Sequence, residues 1–275
     1  MLTYPEKLYK GGFNFSNTSR NSKLISEDEL KKHMTKTGTT IVGVKCKEGV
    51  VLAADTRATQ DRVADKNCEK VHFMAPNIVA CGAGTAADNE YYTAKLNAEL
   101  KLLRMNHDRE SKVSIMVHRA AMHLFRHGGN LGVYLIVAGY DCDGPHLAQV
   151  SATGYVNYDN FMSMGSGSVA AYGVLEPGYR DDLTLEEAKN LACEAIKAGI
   201  IYDLGSGSNV DYVVLTKGNL DYHRNAELIG KREVAKPTPY TFAKDGIPVL
   251  KHERYEVSKS ERIEVGKAPA KMEIE

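Results

Sequence analysis

The order of strand and helix patterns along the chain predicts an α+β fold in which two β-sheets pack against each other and helices cover both outer faces. Strand pairs come first and are followed by two helices, and this order then repeats before a last strand pair. In addition, the first hairpin is apolar on both of its faces, which is typical of a sheet that is covered on each side.

Each predicted element rests on local signals. Short apolar runs bounded by glycine, proline or asparagine predict strands, whereas apolar residues at intervals of three and four predict helices. Thr184 and Glu187 form a capping-box pattern at one helix start, and Thr85 can cap another. The predicted strands span residues 41–44, 50–54, 71–74, 77–81, 132–141 and 146–154, with a last hairpin over 210–224; the predicted helices begin after residue 85 and at residues 113, 168 and 184.

The composition disfavours several classes of function. The chain has 275 residues, of which 43% are apolar and 25% charged, as in an ordinary globular protein. Its 35 basic and 35 acidic side chains cancel, which argues against binding to nucleic acid or an anionic membrane and favours protein or peptide partners. The five cysteines are widely spaced without a CxxC pair, and no segment resembles a signal peptide or a membrane span. We therefore expect a protein of a reducing compartment, cytosolic or nuclear.

The two ends of the chain differ from its middle. Residues 1–38 are rich in polar side chains, so we expect a flexible segment that is either a tail or a removable pro-segment. Residues 225–275 contain four prolines and few apolar residues, which predicts an extended C-terminal arm. The folded domain is expected over residues 39–224.

The stretch KTGTT at residues 36–40 places a glycine and two threonines directly before the first strand. A threonine hydroxyl is a poor nucleophile without a neighbouring base, and the α-amine of an N-terminal threonine can be that base. Cleavage between Gly38 and Thr39 would create this arrangement, and the missing side chain of Gly38 would let the hydroxyl approach its carbonyl. Taken alone, the motif is more typical of a β-branched strand start after a glycine turn.

Longer motifs change that interpretation. The segments TTIVGVKCKEGVVLAADTRAT, DKNCEKVHFMAPNIVACGAGTAAD, MGSGS and DLGSGSNVD closely resemble the β subunits of the 20S proteasome, which are N-terminal nucleophile hydrolases. The resemblance covers residues 39–222 and is greatest to the eukaryotic β2-type subunits, which are associated with trypsin-like cleavage. It implies a four-layer αββα sandwich of two antiparallel sheets between helices.

The resemblance makes Thr39 the nucleophile, with Asp55 and Lys70 beside it. A cation near the threonine would favour loss of the hydroxyl proton, and a carboxylate would hold that cation in place. Without the resemblance, an aspartate or lysine at a strand end is more typical of a solvated charge.

Two further groups are implied to complete the catalytic site. Ser166, Asp203 and Ser206 would surround the free amine, where hydroxyls and a carboxylate can orient it and pass protons. Gly84, just before a helix start, would donate its backbone N–H to the oxyanion. The GSGS segments also suit flexible turns, but they lack the GxxxxGK[ST] pattern of a nucleotide-binding loop.

The resemblance also implies a substrate pocket that accepts basic side chains. Gly82 would leave depth at its floor, and carboxylates in a deep slot stabilise an arginine or lysine. The loop at 60–64 edges this cleft and is one residue shorter than usual, with Asp61 and Arg62 where small or apolar residues are common. The implied substrate-binding residues are Thr59, Asp65, Cys68, Gly82, Ala86 and Glu90.

The implied function is that of a threonine endopeptidase subunit of the 20S core particle, activated by autocatalytic cleavage between Gly38 and Thr39. It would cut unfolded, including ubiquitinated, proteins after basic residues, without a cofactor or metal. Its partners would be the α and β subunits of a 28-subunit particle, in which two seven-membered β rings lie between two α rings. Neither nucleic acid nor membrane is expected as a partner, and the location would be cytoplasm and nucleus.

Other interpretations have less support in the residues. The chain could be a non-catalytic structural member of the β ring, or an amidohydrolase acting on small amides, but every catalytic position of the family is occupied. His123 and His127 have a zinc-binding spacing, although HLFRH lacks the glutamate of HExxH. The pair Tyr91 and Tyr92 is more typical of packing than of base stacking.

Overall fold

The computed structural model describes residues 38–59 and 62–229. The predicted pro-segment over residues 1–38, except its last residue Gly38, lies outside this range, as do part of the shortened loop and most of the predicted C-terminal arm. The strands are β1 (Ile41–Lys45), β2 (Gly49–Asp55), β3 (Ala58–Thr59), β4 (Val63–Asp65), β5 (Val71–Ala75), β6 (Ile78–Gly84), β7 (Val133–Asp141), β8 (Gly144–Val150), β9 (Val156–Tyr158), β10 (Phe161–Met164), β11 (Asn209–Thr216) and β12 (Asn219–Leu228). The helices are α1 (Ala86–His107), α2 (Val113–Arg126), α3 (Ser168–Gly178) and α4 (Leu185–Tyr202).

The described strands form two five-stranded sheets and one small hairpin. The first sheet has the order β10-β1-β2-β11-β12, the second has the order β5-β6-β7-β8-β9, and β3 pairs with β4. All pairs are antiparallel. This arrangement confirms the α+β prediction of two antiparallel sheets.

Alternation along each strand divides the core into layers. On β1, Ile41 packs between the two sheets, whereas Val42 and Val44 face the opposite side, where α3 and α4 cover the first sheet. The outer face of the second sheet is covered in the same way by α1 and α2, through buried residues such as Tyr92 and Leu124. Because successive side chains point to opposite faces, an all-apolar strand fits only in such a covered sheet. The fold therefore has the expected four layers.

Several element boundaries differ from the predictions. The strands β3, β4, β9 and β10 were not predicted, because they are short and carry mixed polar residues without a clear period. The strand β8 ends at Val150, before a turn in which Gly154 has a φ of 83°, so the predicted continuation to residue 154 is wrong. The helix α4 begins with the predicted capping box at Thr184, whereas the side chain of Thr85 makes no capping hydrogen bond.

The last strand continues four residues past its predicted end at residue 224, to Leu228. Asn225 adopts a φ of 51° and its backbone N–H donates to Asp211 Oδ1 at 2.7 Å. The pairing register shifts between Val210 and Tyr212, as at a β-bulge. Pairing resumes after the bulge, so residues up to Leu228 belong to β12 and the predicted start of the irregular segment at residue 225 is wrong.

Candidate active site

The two strands of the first hairpin bring Thr39 next to Asp55. In the antiparallel register Ile41 pairs with Ala54, so the residues just before β1 lie beside the end of β2. The Asp55 N–H donates to Thr40 O at 3.1 Å, and the Thr40 N–H donates to Asp55 Oδ1 at 2.9 Å. Thr39 is 4% exposed and Asp55 is fully buried. The predicted nucleophile therefore lies at the end of two interior strands, close to a buried carboxylate.

Lys70 reaches this end of the strands from the other sheet. It directly precedes β5, and its carbonyl accepts a hydrogen bond from Gly82 N on β6 at 3.1 Å. Its ammonium contacts three oxygens: Asp55 Oδ1 at 2.7 Å, Thr39 Oγ1 at 3.1 Å and Gly38 O at 3.3 Å. An ammonium has three N–H donors, so all of them point into the group that surrounds Thr39.

The Asp55 carboxylate accepts hydrogen bonds from one side chain and three backbone N–H groups. Besides the Lys70 ammonium and Thr40 N, it accepts hydrogen bonds from Gly207 N at 3.1 Å and Arg57 N at 3.3 Å. A buried charge is tolerated when it is paired and its lone pairs are hydrogen-bonded. The side chain of Lys70 is only 8% exposed, so each member of the pair compensates the other where little water reaches.

The peptide bond between Gly38 and Thr39 lies in the middle of this group. The Thr39 hydroxyl donates to Gly38 O at 2.8 Å, so it lies against the carbonyl of the predicted cleavage site. The Gly38 N–H donates to Thr59 Oγ1 at 2.8 Å, and the Thr59 hydroxyl donates to Gly205 O at 3.1 Å. A Cβ on Gly38 would lie 2.1 Å from Gly205 Cα, so only glycine fits between these backbones.

On the other side of Thr39 lies a carboxylate with two serines. The Thr39 N–H donates to Ser166 Oγ at 3.1 Å, and Ser166 Oγ donates to Asp203 Oδ2 at 2.6 Å. Ser206 Oγ donates to the same Oδ2 at 2.7 Å, and Gly205 N–H donates to Oδ1 at 3.0 Å. Partial burial alone would raise the pKa of Asp203, but these hydrogen bonds outweigh it and lower that pKa.

A cleft of about 680 Å³ opens beside Thr39. Gly84, with a φ of 106°, lies on its wall, where a Cβ would come within 2.2 Å of Gly132 O. Four of the six residues predicted to bind substrate line the cleft: Cys68, Gly82, Ala86 and Glu90.

The other two predicted substrate-binding residues are not among the residues that line this cleft. The Thr59 hydroxyl is engaged by the backbones of Gly38 and Gly205 instead. Asp65 is exposed on β4, where its carboxylate accepts a hydrogen bond from Asn67 N at 2.9 Å. Both residues lie on the short β3–β4 hairpin, which was not predicted.

Comparison with known proteins identifies the family. Residues 35–215 match the family described as "Proteasome subunit". The chain belongs to the proteasome subunit family. It is 44% identical over 260 residues to "Proteasome subunit beta type-7-A" of Arabidopsis thaliana, a match that covers 94% of this chain and 95% of that protein. It is 46% identical over 242 residues to "Proteasome subunit beta type-2" of Saccharomyces cerevisiae, covering 87% and 92% of the two chains. It is also 43% identical over 246 residues to "Proteasome subunit beta type-10" of Mus musculus, covering 88% and 90%.

These similarities place the chain among the proteasome β subunits, with a β2-like character, as the sequence motifs predicted. Proteasome β subunits assemble with other proteasome subunits in the core particle, so the chain is a component of that assembly.

The cleft of this proteasome subunit also contains residues that the sequence analysis missed. His72 and Asn89 both line it near Gly82. His72 lies two positions after Lys70 along the chain, and alternate residues of a strand share a face. The sequence could therefore have predicted that His72 lies on the same side as Lys70. Burial lowers the pKa of His72, although Glu69 and Glu90 oppose this effect. Burial also raises the pKa of the Cys68 thiol, which keeps it protonated.

The remaining candidate residues of the proteasome subunit have structural partners. His123 stacks on Tyr92 at a centroid distance of 4.9 Å, and His127 Nδ1 lies 2.8 Å from His123 O. Tyr92 is buried and its hydroxyl donates to Ala120 O at 3.0 Å, which confirms its predicted packing role, whereas Tyr91 is exposed. Among the helices in the described part of the chain, none is long and apolar enough to cross a membrane.

Proposed function

We propose that this proteasome β subunit is a threonine endopeptidase with Thr39 as its nucleophile. The observation that carries the proposal is the position of the Lys70 ammonium, which contacts the Thr39 hydroxyl at 3.1 Å and the Gly38 carbonyl at 3.3 Å. A cation at this place stabilises negative charge on both oxygens that change in an attack of Thr39 on the peptide bond. Asp55 holds the cation there.

Activation would begin with the Thr39 hydroxyl attacking the Gly38 carbonyl carbon. The hydroxyl proton passes to the Thr39 nitrogen as the C–N bond breaks, so the acyl group moves from nitrogen to oxygen. Water then hydrolyses this ester, which restores the hydroxyl and releases residues 1–38 with a new carboxylate at Gly38. The free amine of Thr39 remains beside Ser166, which already accepts its N–H at 3.1 Å.

The same atoms would then cut substrates. The Thr39 hydroxyl attacks the scissile carbonyl, its proton passes by way of the free amine to the leaving nitrogen, and an acyl ester forms. Gly84 on the cleft wall is the proposed oxyanion donor, and the Lys70 ammonium favours ionisation of the hydroxyl. Ser166 and Asp203 orient the amine, which activates the water that hydrolyses the ester.

The cleft composition supports a preference for basic side chains. Glu90 lines the cleft, and Gly82 adds no side chain to fill it. A carboxylate in a cleft attracts arginine or lysine by charge and hydrogen bonding. We therefore propose trypsin-like cleavage of unfolded, including ubiquitinated, proteins, without a cofactor.

The proposed setting is the 28-subunit core particle of the cytoplasm and nucleus. In it, two seven-membered β rings lie between two α rings, and the C-terminal arm that follows β12 contacts a neighbouring subunit. Keeping residues 1–38 attached until assembly would leave the amine masked and the protease inactive outside the particle.

The decisive experiment maps the N-terminus and intact mass of the subunit taken from assembled particles. We expect the parent to begin at Thr39, and the variant Thr39→Ala to keep residues 1–38 attached and to lose cleavage after arginine and lysine. Thr39→Ser, which keeps a hydroxyl, is the matched control and should still be processed. Particles with Thr39→Ala that cut such substrates as fast as the parent would refute the proposal and favour a structural ring member.

A further inference from the structure

Thr40 lies between the two halves of the candidate site and has no role in the mechanism above. It is fully buried. Its backbone N–H donates to Asp55 Oδ1 at 2.9 Å, on the side of the Lys70 ammonium. Its hydroxyl lies 2.7 Å from Ser206 Oγ, on the side of Asp203. One residue therefore contacts both groups that surround Thr39.

The direction of the hydroxyl contact follows from counting protons. A serine hydroxyl has one proton to donate, and Ser206 donates it to Asp203 Oδ2 at 2.7 Å. An ionised carboxylate only accepts hydrogen bonds. In the contact between Thr40 Oγ1 and Ser206 Oγ, Thr40 must therefore be the donor.

The hydrogen bonds then converge on one oxygen from two directions. From one side, Thr39 N–H donates to Ser166, whose hydroxyl donates to Asp203 Oδ2. From the other side, Thr40 donates to Ser206, whose hydroxyl donates to the same oxygen. Because a hydroxyl that accepts a hydrogen bond becomes a stronger donor, Thr40 strengthens the bond between Ser206 and Asp203.

The packing around Thr40 holds its hydroxyl in this direction. A Cβ on Gly167 would lie 2.0 Å from Thr40 Oγ1, and a Cβ on Gly199 would lie 2.4 Å from the same atom. Backbone atoms of α4 and of the turn before α3 therefore approach the threonine closely on two sides. A threonine also has restricted χ1 freedom, which further limits rotation of the hydroxyl.

We propose that Thr40 is a positioning residue, whose hydroxyl orients Ser206 and Asp203 for the Thr39 amine while its backbone N–H holds Asp55. This inference rests on the proposed peptidase function of Thr39. Without the Thr40 hydroxyl, Ser206 would be a weaker donor, so more of the negative charge of Asp203 would act through Ser166 on the Thr39 amine. That charge would raise the pKa of the amine, which titrates at about 7.7–8.0 when unperturbed and must be unprotonated to act as the base. The acidic limb of the activity profile should then move to higher pH.

Other charges near Asp203 bear on this expectation. The free amine of Thr39 would face it through Ser166, and the Asp55–Lys70 pair lies beyond Thr39 and Thr40. The guanidinium of Arg57 occupies the space next to Gly207, close to Ser206 in the chain. Replacing the uncharged Thr40 hydroxyl leaves all of these charges in place, so a shift reports on the hydrogen bond.

The test uses assembled particles that carry Thr40→Val, which keeps the shape and removes the hydroxyl, or Thr40→Ser, which keeps the hydroxyl. Processing at Thr39 is confirmed by mass, and kcat and KM for a fluorogenic peptide ending in arginine are measured from pH 5 to 9. We expect kcat of Thr40→Val to fall about three- to tenfold with KM nearly unchanged, as for loss of one hydrogen bond. The acidic limb should move to higher pH in Thr40→Val and stay at the parent position in Thr40→Ser.

The possible results separate this inference from the function on which it rests. An active parent with the same kcat and acidic limb as Thr40→Val would overturn the role of Thr40 alone. A parent as inactive as Thr39→Ala would overturn the peptidase function and the inference together. If Thr40→Val particles do not assemble, Thr40→Cys supplies a weaker donor of similar size, and an unchanged acidic limb in that variant would equally refute the inference.

Discussion

Two buried carboxylates, Asp55 and Asp211, lie on neighbouring strands and each holds a cation, yet their surroundings differ. In the first sheet Asp211 pairs with Ala54, the residue before Asp55. Lys70 donates to Asp55, and Arg224 donates to Asp211 at 3.1 Å.

The difference lies in what else each cation contacts. The other donors of Lys70 reach the Thr39 hydroxyl and the Gly38 carbonyl. Those of Arg224 reach Asn67 O at 2.8 Å and Asn67 Oδ1 at 3.0 Å, which attaches a loop to β12. A buried ion pair therefore does not by itself mark an active site. The remaining contacts of its cation distinguish a catalytic pair from a structural one.

The largest expected effect separates the two cations by activity. Lys70→Ala removes the charge beside the nucleophile, so we expect peptidase activity to fall by roughly 10²- to 10⁴-fold. Arg224→Ala removes a cation of similar charge from a similar carboxylate and should leave activity within about threefold of the parent, since it touches no reacting atom. Hydrolysis of an arginine peptide by assembled particles measures both. Equal losses in the two variants would show that the pairs do not differ in the way the contacts indicate.

The second effect separates the two carboxylates by stability. Asp55→Ala leaves the Lys70 ammonium, 8% exposed, without its partner, and should cost about 3–5 kcal/mol of unfolding free energy. Asp211→Ala leaves an Arg224 side chain that is 32% exposed and still bonded to Asn67, so about 1–2 kcal/mol is expected. Denaturant unfolding of the full chain measures both losses. If Asp211→Ala lost more unfolding free energy than Asp55→Ala, the deeper burial of the Lys70 ammonium would not explain the difference between the two pairs.

The same comparison shows what the sequence could predict. The apolar runs and helical patterns were sufficient for the layers, because burial on one face of an element leaves a period in the chain and burial on both faces leaves a continuous apolar run. They were insufficient for β10, whose four residues pair with β1 only through tertiary contacts, for example Ile41 with Met164. They were also insufficient for the bulge at Asn225, where the side chain of Asp211 replaces a strand partner.

For the site, spacing alone could not bring Thr39, Asp55 and Lys70 together, since they lie on different elements of two sheets. The resemblance to a family supplied those positions, and the geometry then placed them within hydrogen-bonding distance. The substrate-binding roles of Thr59 and Asp65, which do not line the cleft, stay predictions. The resemblance gave no role to Thr40, whose buried hydroxyl looks from the sequence like any β-branched residue at a strand start.

The third effect compares two acids on the cleft. The Glu69 carboxylate accepts from the Tyr222 hydroxyl at 3.0 Å and lies 3.8 Å from the Arg224 guanidinium, so it belongs to the structural group around Asp211. The Glu90 carboxylate has no such partner among the described residues. Glu90→Gln should lower kcat/KM for peptides ending in arginine about tenfold, whereas Glu69→Gln should change it less than threefold. Peptides ending in leucine provide the control and should respond to neither change.

The smallest effect compares Asp203 with Asp211 by pH. Burial would raise the pKa of Asp203, but hydrogen bonds from serines outweigh this effect and lower that pKa. The ionised form of Asp203 therefore stabilises the fold above the unfolded pKa of about 3.9. This contribution is lost as pH falls through the lower pKa of the folded state. Burial raises the pKa of Asp211, although its contacts with Asn225 and Arg224 oppose this effect. The protonated form of Asp211 therefore stabilises the fold below the unfolded pKa, and this contribution is lost as pH rises through the pKa of the folded state.

The two asparagine variants should therefore respond to acid in opposite directions. As pH falls from 5 to 3, the Tm advantage of the parent over Asp203→Asn should shrink, while the advantage over Asp211→Asn should grow, each by on the order of 2 °C. Thermal unfolding of the full chain at several pH values measures both. If the two variants showed the same pH dependence, the serine hydroxyls would not lower the pKa of Asp203 relative to that of Asp211. Such a result would argue against an Asp203 carboxylate that stays ionised beside the Thr39 amine.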